Sequence, residues 1–157
     1  MPLKTLHWFR LDLRLQDNPA LNAAVAAGEI IPIFILDDET PGKHKLGGAS
    51  RWWLDRSLKA LNNALSGKLV IRKGPARQVL QQLIDESGVK RVTWNRGYEP
   101  WQTARDALIK DDLKGMGVEA LSFNGSLLWE PWDVKKPDGT PYRVFTRYYR
   151  NGCLGNT

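Results

Sequence analysis

The sequence predicts an α/β fold: a Rossmann-like, doubly wound sheet of about five parallel strands with helices on both faces. Three observations lead to this prediction. Five short apolar segments alternate with segments of helical periodicity along the first 123 residues. The apolar segment Ile30 to Leu36 carries no charged residue, as expected for a strand buried on both faces of a parallel sheet. The whole chain of 157 residues has the usual length of one domain.

Local signals define the first strand and the first helix. Leu6 to Phe9 follows a short polar lead and is the predicted first strand. The alanine-rich segment Pro19 to Ala27 is the predicted first helix, because Asn18 is a suitable N-cap and Pro19 suits the first helical position. Gly28 is expected to end this helix.

The sequence also predicts where the second strand and the second helix begin. Pro32 is expected near the start of the strand Ile30 to Leu36, since proline cannot donate a hydrogen bond to a neighbouring strand. After a polar, glycine-rich loop from Asp37 to Gly48, Ser50 is expected to cap a helix from Arg51 to about Leu65. The apolar stripe of that helix consists of Leu54, Leu58, Leu61 and Leu65.

The pattern continues to residue 123 and then stops. The predicted elements are a strand at Leu69–Arg72, a helix opened by Pro75 and closed by Gly88, a strand at Val89–Trp94, a helix from about Trp101 to Lys114, and a strand at Val118–Phe123. From Asn124 onward the chain is rich in Gly, Pro and aromatic residues, which predicts an extended segment with turns such as Pro137-Asp138-Gly139, and no closing helix or strand. We therefore divide the chain into an α/β domain, residues 1–125, and an irregular segment, residues 126–157.

Composition argues against several kinds of site and location. Cys153 is the only cysteine, and His7 and His44 are the only histidines, so neither an internal disulfide nor a zinc cluster is expected, and no metal ligand is predicted. The N-terminus lacks a signal-peptide pattern and no apolar run approaches 20 residues, so we expect a cytoplasmic protein without a membrane partner. The net charge of +6 is compatible with a nucleic-acid partner, but the basic residues are scattered.

The loop after the first strand is not a dinucleotide-binding turn. Such a turn needs glycines so that the backbone can approach a pyrophosphate, and there is no glycine between Trp8 and Ala27. The loop instead carries the charged residues Arg10, Asp12, Arg14 and Asp17. An ion-paired loop without a ligand is the simplest alternative to a functional role for these residues.

Four segments resemble the DNA photolyase/cryptochrome family and follow one another in the family's order. They are Trp8–Arg14 continuing to Asp17–Leu21, Gly48–Arg51 with the leucine stripe, Asn95–Pro100 with Arg105-Asp106, and Gly139–Arg150. Together these segments span nearly the whole chain. By this resemblance the chain is identified as the N-terminal α/β, antenna-binding domain of that family.

The resemblance implies a division of work between two domains. In the family, the α/β domain binds a light-harvesting antenna chromophore, and a larger helical domain binds FAD and the pyrimidine dimer flipped out of UV-damaged DNA. The full-length protein would then be a deoxyribodipyrimidine photolyase, a carbon–carbon lyase, with that helical domain and UV-damaged DNA as partners. Residues 126–157 would lead to the missing FAD-binding domain, and the fragment alone would be inactive and hold no catalytic residue. The alternatives are the same domain of a cryptochrome photoreceptor and an unrelated nucleotide-binding α/β domain.

The resemblance also suggests where the antenna chromophore binds. The candidate cofactor-binding residues are Phe9, Arg10, Asp37, Asp38, Glu99, Trp101, Gln102 and Arg105. Trp101 offers a stacking face, and its polar neighbours offer hydrogen bonds. Some folate-binding members carry an Asn-Glu pair where this chain has Trp101-Gln102, and some deazaflavin-binding members carry an acidic residue at Gly97, so neither pattern is met. Methenyltetrahydrofolate is favoured because of Trp101; a deazaflavin, a flavin or no antenna remains open.

The seven tryptophans are a high number for this length. Trp52 and Trp53 lie beside the leucine stripe and are expected to pack there. Trp129 and Trp132 are expected to meet the missing domain. With Phe145 and Tyr148 they would form an exposed apolar face in the isolated chain.

Overall fold

A computed structural model describes residues 3–156. Five parallel strands form one sheet in the order β3-β2-β1-β4-β5. The strands are β1 Leu3–Phe9, β2 Gly28–Leu36, β3 Val70–Lys73, β4 Arg91–Asn95 and β5 Glu119–Phe123, and the helices are α1 Pro19–Ala27, α2 Gly48–Ala64, α3 Ala76–Ser87 and α4 Pro100–Gly115. This order confirms the predicted Rossmann-like, doubly wound fold.

Two apolar clusters lie on opposite faces of the sheet. One contains Leu6 and Trp8 of β1 together with residues of α3 and α4, such as Leu80 and Ile109. The other contains Phe9 at the end of β1 together with residues of α1 and α2. Because successive side chains of a strand point to opposite faces, a single strand contributes to both clusters. The helices therefore cover both faces, as predicted.

The helix ends follow the local signals closely. The Asn18 side chain accepts a hydrogen bond from the backbone N–H of Leu21 at 3.1 Å, and α1 ends at Gly28, where φ is 139°. Gly88 closes α3 with φ at 66°, in the left-handed region that favours glycine. The stripe of α2 is also confirmed: Leu54 and Leu61 are buried, and Leu58 and Leu65 pack against the same cluster.

Two boundary predictions are wrong. Pro32 lies in the interior of β2, opposite His7 of β1, and not at the strand start. The proline is tolerated because β2 pairs with β3 only from Ile33 onward. Ser50 does not cap α2: the helix begins at Gly48, Gly47 is its N-cap, and no side chain provides a capping hydrogen bond.

The expectation that Trp52 and Trp53 pack beside the stripe is also wrong. Trp52 is 59% exposed and Trp53 is 69% exposed. Leu54 and Leu61 define the buried face of α2, and the two residues before Leu54 are rotated away from that face. Both indoles therefore project from the surface of the helix.

The chain forms two compact units, residues 1–125 and 126–157. In the second unit the turn around Asp138 is present, because the backbone N–H of Gly139 donates to the Lys136 carbonyl at 2.8 Å. The expectation of an extended chain without a closing helix is wrong, since consecutive helical turns cover Phe145 to Asn156. Phe145 and Tyr149, four residues apart, stack with ring centroids 6.0 Å apart.

The apolar face expected in residues 126–157 is only partly exposed. Phe145 and Trp132 are exposed, whereas Trp129 and Tyr148 are half-buried. Within residues 3–156, no helix combines the length and the apolar character needed to cross a bilayer. Within the same range, no three His, Cys, Asp or Glu side chains gather as a metal site would require.

Candidate ligand site at the carboxyl edge of the sheet

The strand order reverses between β1 and β4, which makes the carboxyl ends of these two strands the switch point of the sheet. Ligands of doubly wound sheets bind beyond the strand ends at this point. Arg10 follows β1, and the loop after β4 leads to α4, which begins at Pro100. These two connections bring together five of the eight sequence-predicted site residues: Arg10, Glu99, Trp101, Gln102 and Arg105.

Arg10 is the centre of a hydrogen-bond network at the switch point. Its Nη1 donates to Asp106 Oδ2 at 2.7 Å and to the Asn95 carbonyl at 3.2 Å, and its Nη2 donates to Gln102 Oε1 at 2.7 Å. Only 10% of the side chain is exposed. Burial lowers the pKa of Arg10, Asp106 opposes this shift, and Arg105 adds to it. The guanidinium stays charged, because arginine is not deprotonated in proteins.

Arg105 contacts two indole rings and the same carboxylate as Arg10. Its guanidinium carbon lies 5.0 Å from the ring centroid of Trp8 and 5.1 Å from that of Trp101. Its Nε and Nη2 donate to Asp106 Oδ1 at 3.1 and 2.8 Å. Each oxygen of Asp106 therefore accepts from one arginine, which fixes the Arg10 guanidinium beside Trp8 and the Arg105 guanidinium beside Trp8 and Trp101.

Glu99 fixes the ring of Trp101. Its Oε2 accepts hydrogen bonds from Trp101 Nε1 at 2.6 Å and from Gln102 Nε2 at 3.1 Å. Because Gln102 Oε1 also accepts from Arg10, this glutamine connects Glu99 to the arginine network. The Nε1 of the half-buried Trp101 is thus hydrogen-bonded to Glu99, and the guanidinium of Arg105 lies against its ring.

Gly97 is the position that lets Gln102 reach Arg10. A Cβ at residue 97 would lie 1.5 Å from Gln102 Oε1 and 2.9 Å from Arg10 Nη2, so any side chain there would displace Gln102. An acidic residue at position 97, as in the deazaflavin-binding pattern, would therefore require Gln102 to leave its position beside Arg10.

Three predicted site residues lie outside the network. Asp37 Oδ2 accepts from the backbone N–H of Ala76, the first residue of α3, at 3.0 Å, and its Oδ1 accepts from Thr40 N–H at 2.9 Å. Burial acts to raise the pKa of Asp37, but these hydrogen bonds outweigh it and lower the pKa. Asp38 forms an ion pair with Arg51 of α2 at 2.5 Å. Both carboxylates hold the loop after β2 in place.

Phe9 belongs to the core. It is 0% exposed and makes an edge-to-face contact with His7, with ring centroids 4.4 Å apart. It supports the end of β1 from inside, and no part of its ring is open to a ligand.

Asn95 and Asp106 were not among the sequence-predicted site residues, yet both are nearly buried at the switch point. Asn95 Nδ2 donates to Asp12 Oδ2 at 2.5 Å and to Asn18 Oδ1 at 2.8 Å, which ties the loop after β1 to the end of β4. A signal for Asp106 was available, because it lies one helical turn after Gln102 and so shares its face of α4. No local signal points to Asn95, because its partners are distant in sequence.

Comparison with known proteins identifies the family. A model described as DNA photolyase matches residues 5–155, and the chain belongs to the DNA photolyase family. The deoxyribodipyrimidine photo-lyase of Agrobacterium fabrum is 44% identical over 157 residues, which cover 96% of this chain and 32% of that protein. Cryptochrome-2 of Arabidopsis thaliana is 37% identical over 158 residues, which cover 98% of this chain and 26% of the cryptochrome.

A solved structure agrees with this assignment. The crystal structure of a bacterial class III photolyase from Agrobacterium tumefaciens superposes with a TM-score of 0.87 at 39% identity, covering 100% of this chain and 32% of that one. The chain therefore spans about a third of the length of its photolyase relatives. The alternative of an unrelated nucleotide-binding domain is wrong.

Proposed function

We propose that this chain is the light-harvesting domain of a deoxyribodipyrimidine photolyase and that it binds an antenna chromophore at the carboxyl edge of its sheet. The observation that supports this best is the preorganised network of Arg10, Gln102 and Asp106 at the switch point of a photolyase-family fold. Excitation would pass from the antenna to a catalytic FAD bound outside these 157 residues. The chain alone would then leave pyrimidine dimers unrepaired.

A rigid edge of the sheet suits an antenna, because energy transfer to a second chromophore depends on a fixed distance and orientation. Rigidity here comes from charge-assisted hydrogen bonds that the protein already makes without a ligand. Residues Glu99, Trp101, Gln102 and Arg105 are the sequence-predicted contacts of the chromophore. We favour methenyltetrahydrofolate over a deazaflavin, because the half-buried Trp101 ring offers a stacking face. A flavin remains the alternative antenna.

A second candidate function is that of a cryptochrome, and the 37% identity to Arabidopsis cryptochrome-2 favours it. The α/β domain would bind the antenna in the same way, and the two functions would differ in whether the full-length protein repairs DNA. The cytoplasmic location stays a prediction for either function.

The proposal is tested on the purified chain. We would titrate it with methenyltetrahydrofolate and, separately, with an 8-hydroxy-5-deazaflavin, following ligand absorbance and tryptophan fluorescence. Saturable binding of the folate is expected. If the chain bound neither of these compounds nor a flavin such as FMN, the antenna function would be contradicted. The chain would also be mixed with reduced FAD and a UV-irradiated oligonucleotide under blue light. No loss of dimers is expected, and repair by the chain alone would contradict the placement of the catalytic flavin elsewhere.

A further inference from the structure

The positive charge of this chain is concentrated in residues 43–73. This stretch holds eight lysine and arginine residues and a single acidic residue, Asp55, whereas the rest of the chain holds fifteen basic and sixteen acidic residues. The stretch therefore accounts for the whole surplus behind the net charge of +6. A surplus gathered in this way attracts a polyanion, provided that the fold brings the side chains to one surface.

Helix α2 presents two cations and an indole ring on the face opposite its leucine stripe. Trp52, Arg56 and Lys59 are four and three positions apart, so they share one face of the helix, away from the buried Leu54 and Leu61. Trp52 is 59% exposed, and the Lys59 side chain is 70% exposed. The guanidinium carbon of Arg56 lies 5.0 Å from the ring centroid of Trp52. The solvent side of α2 thus combines positive charge with an accessible aromatic ring.

The edge strand β3 adds a cation on the same side of the sheet. Ile71 lies in register beside Phe34, a member of the apolar cluster beneath α2. Because side chains alternate along a strand, Lys73 points to this side as well. Arg72 points to the other side, where it pairs with Glu86 of α3.

Exposed lysines flank both ends of α2. Lys43 and Lys45 precede its first residue, Gly48, and Lys68 follows its last residue, Ala64. The 17 residues of α2 extend over about 25 Å, so the cations are distributed over the length of the helix. We call this surface the basic α2 face; with Trp52 it comprises Lys43, Lys45, Arg56, Lys59, Lys68 and Lys73.

Five of the six cations of the basic α2 face form no ion pair with a carboxylate within residues 3–156. The exception is Lys59, which pairs with Asp55 at 2.7 Å. Both side chains of that pair are more than half exposed, and an exposed pair of this kind is weak. The charge of this face is therefore available to an anionic partner.

We propose that the basic α2 face binds single-stranded DNA, with the phosphates against its lysines and Arg56 and a base stacked on Trp52. Cations that follow the backbone and an exposed aromatic ring that accepts a base are the two elements of single-strand binding without sequence preference. In a duplex the bases stack on one another, so the indole would gain no partner. A lipid surface would require an apolar helix face, whereas this face carries cations around one ring.

This contact is separate from the function proposed above. Its residues all lie between positions 43 and 73, whereas the hydrogen-bond network of the switch point consists of Arg10 and residues 95–106. The inference does not depend on an antenna. It also lies within the α/β unit, so it is additional to any DNA contact made by a part of the full-length protein outside this chain.

The first test measures the binding of a fluorescently labelled oligothymidine of about 12 nucleotides to the 157-residue chain by fluorescence anisotropy. Saturable binding is expected, with quenching of tryptophan fluorescence. Trp52→Ala should weaken binding about fivefold or more, the scale of one stacked base, and Trp52→Phe should retain part of the affinity. Trp132→Ala is the matched control, because Trp132 is 51% exposed and lies outside residues 43–73. It should leave the affinity unchanged.

The second test separates the position of the charge from its amount. The double variant Arg56→Gln/Lys59→Gln removes two charges of the basic α2 face, and Lys90→Gln/Lys114→Gln removes two exposed charges elsewhere. The first variant should bind about tenfold more weakly at low salt, and its plot of log affinity against log salt should be shallower by about 1.4, the value for two lost phosphate contacts. The second variant should keep the slope of the unaltered chain. Circular dichroism would verify that all variants fold.

Several outcomes would overturn the inference. One is the lack of saturable binding to the unaltered chain, and another is an equal loss in the two double variants, which would indicate net charge alone. Unchanged affinity in Trp52→Ala would also overturn it, as would tighter binding to the thymidine–adenosine duplex or to vesicles containing phosphatidylglycerol than to the single strand. None of these results would bear on the antenna function, which the methenyltetrahydrofolate titration tests separately.

Discussion

Asp106 balances the charge of the switch-point network, since it is the carboxylate that both Arg10 and Arg105 contact. We expect Asp106→Asn to destabilise the fold by about 3 kcal/mol, because removing one partner of a buried ion pair leaves the other charges uncompensated. Asp112, which pairs with Arg77 on the surface, provides the control, and Asp112→Asn should change stability little. Urea unfolding of both variants measures this. Equal effects would show that the network is no stronger than a surface pair.

Gly97 is a second residue on which the hydrogen-bond network of Arg10 depends. Gly97→Ala should lower the free energy of unfolding by about 1–2 kcal/mol, because the new Cβ forces Gln102 away from Arg10 and breaks a hydrogen bond to a charged group. Gly115→Ala is the matched control, since a Cβ there meets no atom within 4 Å. Thermal unfolding would compare the two. A Gly97→Ala variant as stable as the unaltered chain would contradict the close approach.

His7 makes the stability of the domain depend on pH. Burial in β1 lowers its pKa from 6.5 to about 4, and its Nδ1 lies 2.9 Å from Thr93 Oγ1. As the pH falls from 7 to 4, the unfolded chain binds a proton that the folded chain resists, so this residue should remove about 3 kcal/mol of stability. Urea unfolding across this pH range should show a smaller loss in His7→Gln. The exposed His44 provides the control, and His44→Gln should follow the unaltered chain.

At the scale of elements, the buried face of α2 was predictable from the sequence. Its leucine residues recur every three to four positions, which is the spacing of one face of a helix. Leu61→Ala should therefore destabilise the domain by about 3 kcal/mol, since Leu61 is 4% exposed, while Leu108→Ala on the exposed side of α4 should not. Urea unfolding of the two variants would measure this difference in stability. A small effect at Leu61 would mean that α2 contributes little to the core.

The helix ends were predictable for the same local reason, because Asn18 and Gly88 act through neighbouring backbone groups. The interior position of Pro32 was not, because it depends on where β3 begins to pair with β2. Asn95 was missed for a similar reason: its partners lie in a loop about eighty residues earlier in the chain. Sequence patterns thus predicted the elements, while the contacts between distant segments determined the details of the site.

At the scale of the whole molecule, the two apolar clusters lie entirely within residues 1–125. All five strands and the four long helices are in the same range. Residues 126–157 have a smaller centre of their own, in which Val134 and Cys153 are buried. The clusters that stabilise the sheet therefore do not require the second unit.

This distribution predicts that a chain shortened to residues 1–125 folds by itself, because a domain of this size buries enough surface to be stable alone. The shortened chain should keep the circular dichroism of the α/β unit and unfold cooperatively in urea. It should also retain methenyltetrahydrofolate binding, since the proposed chromophore contacts Glu99, Trp101, Gln102 and Arg105 all lie within residues 1–125. A chain of residues 1–100, which lacks α4 and β5, is the negative control. If residues 1–125 were as disordered as this control, the boundary at residue 125 would be wrong.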